Sequence, residues 1–384
     1  MKAVLIPFLI MVQVIVCISL FSISENTMVF LQIQPSSVSR ALGYGFNGVA
    51  DIWHQNPLIA WDNPALPALH EGIAVGYAKN QWFKGSGIDD MYYDSGMLTI
   101  GYKGFGMTLP SYNDTGEFGN TIDFGEQEQT DEMGNVIGTF HSSETAGCYS
   151  ISFNPLGYLR STYGKRSEFM DKFNFGLGIS YVDLVSDLGP GTGGTEDAID
   201  GKVNTHIFDA GLIMSFRDKL ADLFIGEASF GYKRSNLEDK YVTYINDEQK
   251  DPIGQNDIYG IGLGVSLPVH SFFPAESALS NWTENLFTIR FLASQNSSET
   301  ISTEKSKGFE FGLLDTVFFR TGDFDDHEGS IEGNTSGYGV SLHYADLFAL
   351  DYNHAEFPGG DLVNKQESED FMLMLNLMKL IGEN

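Results

Sequence analysis

Glu310 and Arg320 are a carboxylate and a guanidinium ten residues apart, so on one extended segment they fall on one face, with Thr316 beside them and Asp315 opposite. Such a pair can move protons, or it can hold two parts of a fold together. In an all-β setting the second reading has precedence: paired charges inside the molecule that fix its shape or an inner segment. Asp323, Asp325, Asp326, Glu328 and Glu332 offer oxygen ligands suited to Ca²⁺. The sixth position counted from Asp323 is Glu328 and not glycine, so this is no EF-hand, and a solvated acidic turn is the preferred reading. The 8 histidines are scattered, with no H-E-x-x-H and no pair at helical ligand spacing, which argues against a zinc site. Cys148 alternates with apolar and small residues in Gly147–Phe153, as a packed or lipid-facing thiol does. No G-x-S-x-G, phosphate-loop lysine or dinucleotide fingerprint is present. These residues imply no cofactor and no metal, and the chain reads as a non-enzyme.

The elements that would carry such residues are strands. From about Gly72 onward, segments of about ten residues alternate with period two and show no helical repeat. Phe173, Phe175, Leu177, Ile179 and Tyr181 alternate with Asn174, Gly176, Gly178 and Ser180, and Tyr259–Leu267 alternates with Gly260, Gly262, Gly264 and Ser266. A soluble sandwich would place Lys, Glu and Thr on its second face. Here that face is Gly, Ser, Ala and Asn, which suits a crowded barrel lumen behind a lipid-facing wall. Nine to eleven residues also match a tilted strand crossing a bilayer. The expected fold is therefore all-β, a transmembrane antiparallel β-barrel. About thirteen segments can be counted, among them 104–112 and 307–320. Because bacterial barrels have even strand numbers, fourteen is the expectation and twelve the alternative, with Val136–Phe140 as the candidate hidden strand. Aromatic girdles are expected at Trp82–Phe83, Tyr92–Tyr93, Phe272–Phe273, Phe318–Phe319 and Tyr352.

Composition agrees. The 384 residues carry 43 Gly, 29 Phe and 17 Tyr, too many for an ordinary α/β enzyme and too apolar for disorder. With 22 Lys+Arg against 51 Asp+Glu the net charge is −29, a sign that repels phosphate backbones and excludes nucleic acid as a partner. Much of the acid lies in the polar stretches between strands.

Residues 1–24 read as a cleaved signal peptide: Lys2, an apolar run from Ala3 to Phe21, and Ser22 and Ser24 at the −3 and −1 positions. A membrane anchor is the alternative, and a lipoprotein site at Cys17 lacks the small residue that should precede it. Removal of residues 1–24 would leave Cys148 without a disulfide partner. Residues 25–71 lack alternation and contain Asn56-Pro57 and Asn63-Pro64, so they are expected to form a small, mostly helical or coiled segment, with the barrel spanning 72–384.

Within that segment, Ser39-Arg40-Ala41-Leu42-Gly43-Tyr44-Gly45-Phe46 leading to Asp51, followed by Trp61-Asp62-Asn63-Pro64-Ala65-Leu66, resembles the N-terminal signature of FadL-like outer-membrane proteins, and among them the PorV/PorQ family. Glu310 with its strand, Phe319-Arg320-Thr321-Gly322, Gly337–Leu342 and Leu350-Asp351-Tyr352 are similar to that family's closing strands. Asp62 is an insertion relative to the pattern, and Leu66 stands where glycine is usual. The resemblance implies a bacterial outer-membrane location, with outer-membrane lipid as one partner. It further implies that the 25–71 segment folds inside the lumen as a hatch, with Gly43, Gly45, Asp51, Trp61, Asn63, Pro64 and Ala65 as its motif. Two roles follow from the resemblance: handling exported protein cargo in type IX-like secretion, as PorV/PorQ proteins do, or uptake of hydrophobic small molecules, as FadL-type channels do. An outer-membrane barrel enzyme is the lowest-ranked alternative.

Overall fold

The computed structural model describes residues 27–43, 56–81, 90–113, 116–131, 133–163, 168–189, 202–221, 223–243, 250–273, 279, 282–298, 304–326, 331–344, 347–358 and 365–376. The strands are β1 Gly72–Gln81, β2 Tyr92–Tyr102, β3 Phe105–Pro110, β4 Asn120–Thr130, β5 Val136–Phe153, β6 Phe173–Asp187, β7 Lys202–Ala221 and β8 Phe224–Arg234. They continue with β9 Tyr241–Val242, β10 Asp251–Pro252, β11 Asn256–Pro268, β12 Asn285–Ser298, β13 Glu304–Leu313 and β14 Val317–Asp326. Last come β15 Ile331–Tyr344, β16 Phe348–Pro358 and β17 Lys365–Leu375. The short β9 and β10 pair with each other. All the others form one antiparallel sheet that closes when β1 pairs with β17, Ile73 opposite Leu375.

β3 and β4 occupy a single place in that wall. β3 pairs with one end of β2 and of β5, and β4 pairs with the other end of both. Counting them as one interrupted strand gives a closed 14-strand barrel. The expected number is right, but the hidden strand lies elsewhere. Val136–Phe140 is the outer end of β5, and the segment 307–320 is two strands, β13 and β14, joined at Leu314–Thr316. Leu314 and Asp315 take φ of 54° and 45° there, with no Gly or Pro to announce the turn. The Asp315 carboxylate holds this conformation by accepting from Asn285 N at 2.8 Å and Thr283 Oγ1 at 3.1 Å. Glu310 and Arg320 therefore sit on neighbouring strands and not on one.

Alternation does what period two demands. Large apolar residues at Val75, Leu177, Leu263, Phe291, Phe309, Leu350 and Leu373 point outward and are exposed, while the small or polar face is buried inside. On the outer surface, aromatic rings stack from strand to strand: Tyr149–Tyr181 at 6.2 Å, Tyr181–Phe208 at 5.5 Å, Tyr232–Tyr259 at 5.0 Å and Tyr352–Phe371 at 5.0 Å. This is the girdle, and Tyr352 and Phe319 are outward as expected. Two expected members face inward: Tyr93 donates its hydroxyl to Ile33 O at 3.0 Å, and Phe318 lies under the Arg320 guanidinium at 5.2 Å. Trp82 and Phe83 lie outside the described residues.

Connections are short at the end where β1 starts and β17 ends, as at Lys103-Gly104 and Leu314–Thr316, which marks the periplasmic mouth. One connection there is longer and is built of two helices, Pro155–Tyr163 and Glu168–Lys172. Tyr158 packs its ring on Phe105 at 5.5 Å at this end of the wall.

Candidate functional site: an occupied lumen beside an interrupted wall strand

Residues 27–43 and 56–71 lie inside the barrel in two lobes. The first is built on Ser36, whose hydroxyl caps the helix Ser37–Ala41 by accepting from Val38 N at 3.2 Å. Asp370 of β17 accepts from Ser37 N at 2.6 Å, and Thr335 of β15 donates to Ala41 O at 2.9 Å. Arg40 is fully buried, donating to Gln34 O at 2.5 Å with its guanidinium over the rings of Tyr93 and Phe357. Gly43 ends this lobe at φ +99°, a backbone state that favours glycine.

The second lobe starts at Asn56, whose side chain caps Pro57–Ala60, and continues through Trp61, Asn63, Pro64 and Ala65 to Leu66–Leu69. Asn63 does two jobs. Its Oδ1 accepts from Ala65 N at 3.0 Å, while its Nδ2 donates to the wall carbonyls of Leu212 at 3.1 Å and Tyr232 at 3.3 Å. The wall makes room with glycine: a Cβ at Gly211 would collide with Asn63 Oδ1, and one at Gly178 with Pro64 O. Trp61 O accepts from Lys233 Nζ at 2.8 Å, and the same ammonium pairs with Asp209 at 3.2 Å.

The two lobes meet where Ser39 Oγ donates to Asp62 Oδ2 at 2.6 Å. Asp62, the residue inserted relative to the family pattern, is thus the inter-lobe contact. Burial pushes its carboxyl up from an ordinary 3.8 to about 8, outweighing the Ser39 hydrogen bond and the charges of Lys233 and Arg40. The structure brings Trp61, Asn63, Pro64, Ala65 and Gly43 into the lumen; Gly45 and Asp51 lie outside the described residues. Lys233, Asp209, Arg290 and Asp370 were not singled out from sequence. Their signal is parity: each is a charge on the small-residue face of its strand, as Lys233 is two residues from Gly231.

Around these lobes the lumen has two characters. Next to β2, β4, β5 and β6 it is apolar: Met28, Phe30 and Leu58 pack against Met97, Ile122, Ala146, Cys148 and Leu184. Cys148 is a packed thiol facing inward. Between β7 and β14 it is charged. Arg217 pairs with Glu227 at 3.1 Å, and Glu310 receives Arg290 at 2.6 Å and Arg320 at 2.7 Å. Arg320 also donates to Asn353 Oδ1 at 2.8 Å, and Asn353 to Asp370 Oδ1 at 2.8 Å, so Glu310 and Arg320 connect to the carboxylate that seats the first lobe. Of the candidate cation loop, Asp323 and Asp325 stand opposite Lys307 and Lys305 across β13 and β14, while Glu328 is outside the described residues.

The apolar side abuts the break between β3 and β4. There the wall is interrupted between Ser111–Asn113 and Gly116–Gly119, and Gly96 of β2 holds both flanks: Ser111 N donates to Gly96 O at 2.9 Å, and Gly96 N to Gly119 O at 3.0 Å. Tyr112 and Phe118 pair across the break with rings 4.5 Å apart and are exposed on the outside. Met97, Ile122 and Ala146 line the inner side of the same place.

A closed even-stranded barrel with a lipid-facing apolar wall, an aromatic girdle and an inwardly folded N-terminal segment defines a bacterial outer-membrane β-barrel. Among solved structures the chain is similar to the Pseudomonas putida toluene transporter TodX, with 10% identity over 94% of this chain and 100% of that one and a TM-score of 0.43. It is similar to the Ralstonia pickettii toluene transporter TbuX, with 11% identity over 90% and 98% and a TM-score of 0.40. A Pseudomonas aeruginosa FadL homologue matches at 10% identity over 90% and 99%, with a TM-score of 0.38. No protein-family model and no curated protein matches the sequence.

Proposed function

We propose that this protein is a FadL-type channel that admits small hydrophobic molecules across the outer membrane and is not an enzyme. The observation that carries the reading is the apolar lumen compartment lying directly behind the interrupted third strand. An apolar solute gains about 25 cal/mol for each Å² it buries, so such a compartment is a binding place for it. The break in the wall between β3 and β4 offers a way out that avoids the charged half of the lumen. The N-terminal residues Met28 and Phe30 hold this compartment, and the ligand takes their place when they move.

Cargo handling of the PorV/PorQ type draws on the motif wording in residues 39–66. It would call for an apolar groove facing the outside. Among the described residues the apolar cluster around Met28, Phe30 and Met97 is internal, which favours the channel reading.

The test is uptake of N-phenylnaphthylamine by cells expressing the full chain. Met97→Glu places a charge in the compartment and should abolish uptake while the barrel still shifts on a gel when heated. Uptake unchanged in a folded Met97→Glu protein would sink the proposal.

A further inference from the structure

We propose a binding site for a small organic ammonium compound in a cleft at the periplasmic mouth, where the ends of β7, β8, β11 and β12 come together. The cleft has a volume of about 380 Å³, and Arg217, Ile225, Pro268, Val269, Glu284 and Asn285 are among the residues that line it. Clefts from about 300 Å³ upward hold small ligands.

Asn285 is the residue that points to a ligand. It is 7% exposed, and its Oδ1 accepts from no donor among the described residues. Asp315 decides which way the amide faces. A carboxylate only accepts, so Asn285 turns its Nδ2 to it, at 3.1 and 3.3 Å from the two carboxylate oxygens. Asp315 is not part of the lining, and Oδ1 is therefore the end left for the cleft. The seat is firm, because the same carboxylate also accepts from Asn285 N at 2.8 Å and from Glu284 N and Thr283 Oγ1 at 3.1 Å. A buried acceptor without a donor is costly, so Oδ1 calls for an N–H or O–H from whatever enters.

Charge narrows the choice to a cation. Arg217 lines the cleft but is already engaged, its Nε at 3.1 Å from Glu227 and an Nη at 3.6 Å from Glu284. A ligand carboxylate would have to compete with both. The other described cation nearby is Lys219, which lies opposite Ile225 in register. With histidine counted as neutral, Glu227, Glu284 and Asp315 against Arg217 and Lys219 leave one net negative charge. The Glu284 side chain is 64% exposed, free to turn toward an ammonium that sits on Asn285. Among the described residues no three carboxylate, imidazole or thiol groups gather as metal ligands, so the cation the cleft suits is an organic one. Ile225, Pro268 and Val269 offer hydrocarbon for its body. The ammonium thus donates to Asn285 Oδ1 and Glu284 while an apolar group packs beside it. These strands are not those of the apolar compartment, and the site does not rest on hydrophobic uptake.

The test is titration of the detergent-solubilised full-length protein at pH 7 with 4-fluorobenzylamine, followed by fluorine NMR. The probe carries one ammonium on a small ring, and 4-fluorobenzyl alcohol is its neutral counterpart of the same size. The amine should bind saturably and roughly tenfold tighter than the alcohol. Asn285→Leu should weaken the amine by roughly tenfold, as loss of a hydrogen bond to a charged group does. Glu284→Gln should weaken it by roughly threefold, the scale of an exposed ion pair, and Glu284→Lys should abolish binding. Ile225→Trp fills the cleft and should do the same. Each variant counts once it shows the heat-dependent gel shift; should the Asn285 or Ile225 variant not fold, the exposed Glu284 pair decides. Absence of saturable amine binding by wild type overturns the proposal, and so does an alcohol that binds as tightly as the amine. A folded Glu284→Lys protein that binds the amine like wild type places the ligand elsewhere and overturns it too. Uptake of N-phenylnaphthylamine should be unchanged in Glu284→Gln, which separates failure here from failure of the hydrophobic route.

Discussion

Glu310 of β13 accepts Arg320 of β14 at 2.7 Å while its other oxygen accepts Arg290 of β12 at 2.6 Å, and all three side chains are buried. One carboxylate is thus shared by two guanidinium groups across three strands. Removing it leaves two buried cations facing each other, the situation in which breaking a buried pair costs about 3 to 5 kcal/mol. Glu310→Ala should therefore lower the urea midpoint of the barrel markedly, whereas the exposed pair Lys365–Glu356 should contribute less than about 1 kcal/mol. Equal midpoints for Glu310→Ala and Glu356→Ala would show that the triad holds nothing.

Asp62 gives the inner segment a pH dependence of defined sign. Its carboxyl titrates near 8 in the folded chain against 3.8 ordinarily, because burial disfavours the charged form. The folded state therefore binds the extra proton between those values, and stability from this group is full below about pH 4 and is lost as pH rises through 8. The junction with Ser39 should loosen over that window, seen as rising reactivity of the buried Cys148 toward a maleimide. Asp62→Asn keeps an acceptor for the Ser39 hydroxyl and removes the proton, so from pH 5 to 8 its labelling should rise only as the thiolate fraction does, less steeply than wild type. A slope as steep as wild type in Asp62→Asn would place the pH response elsewhere.

The barrel was legible because period-two alternation is a direct consequence of strand geometry, and the chemistry of the second face distinguished a lumen from a water-facing surface. Glu310 and Arg320 were legible as inward charges because both fall on that face. Their partnership was misread as lying within one strand. The turn between them uses Leu314 and Asp315 at positive φ, and a leucine there carries no turn signal. The break in the third strand was hidden for a related reason: β3 and β4 read as one short strand and a polar stretch, and only their shared partners β2 and β5 reveal that they continue each other. Lys233 and Asp370 needed the third dimension, since their partners Trp61 and Ser37 are far away in the chain.

Gly178 and Gly211 should tolerate no side chain while the second lobe is in place. A Cβ at either would run into Pro64 O or Asn63 Oδ1, both belonging to the chain that crosses the lumen. Gly178→Val adds β-branched bulk that suits a strand, so the wall itself should not suffer. The expected outcome is a barrel that still shifts on heating but labels Cys148 much faster than wild type. A Gly178→Val protein with wild-type protection of Cys148 would mean that the lobe does not rest on this wall.

Lys233 offers a test of how the second lobe is anchored by charge. Its ammonium donates to Trp61 O at 2.8 Å and pairs with Asp209 at 3.2 Å, with both side chains buried; Asp209 in turn accepts from Asn236 N at 3.0 Å. Lys233→Met leaves Asp209 as an unpaired buried carboxylate and frees the Trp61 carbonyl, and a loss of about 3 to 5 kcal/mol is expected from the first effect alone. Asp209→Asn keeps an acceptor for Asn236 and removes the charge. The double variant should then recover much of the loss in the urea midpoint, because the uncompensated charge is gone, while Trp61 fluorescence stays altered, because its carbonyl still lacks the lysine. Strictly additive losses in the double variant would mean that Lys233 and Asp209 do not act as a pair, and that the lobe is held by Asn63 and its wall carbonyls instead.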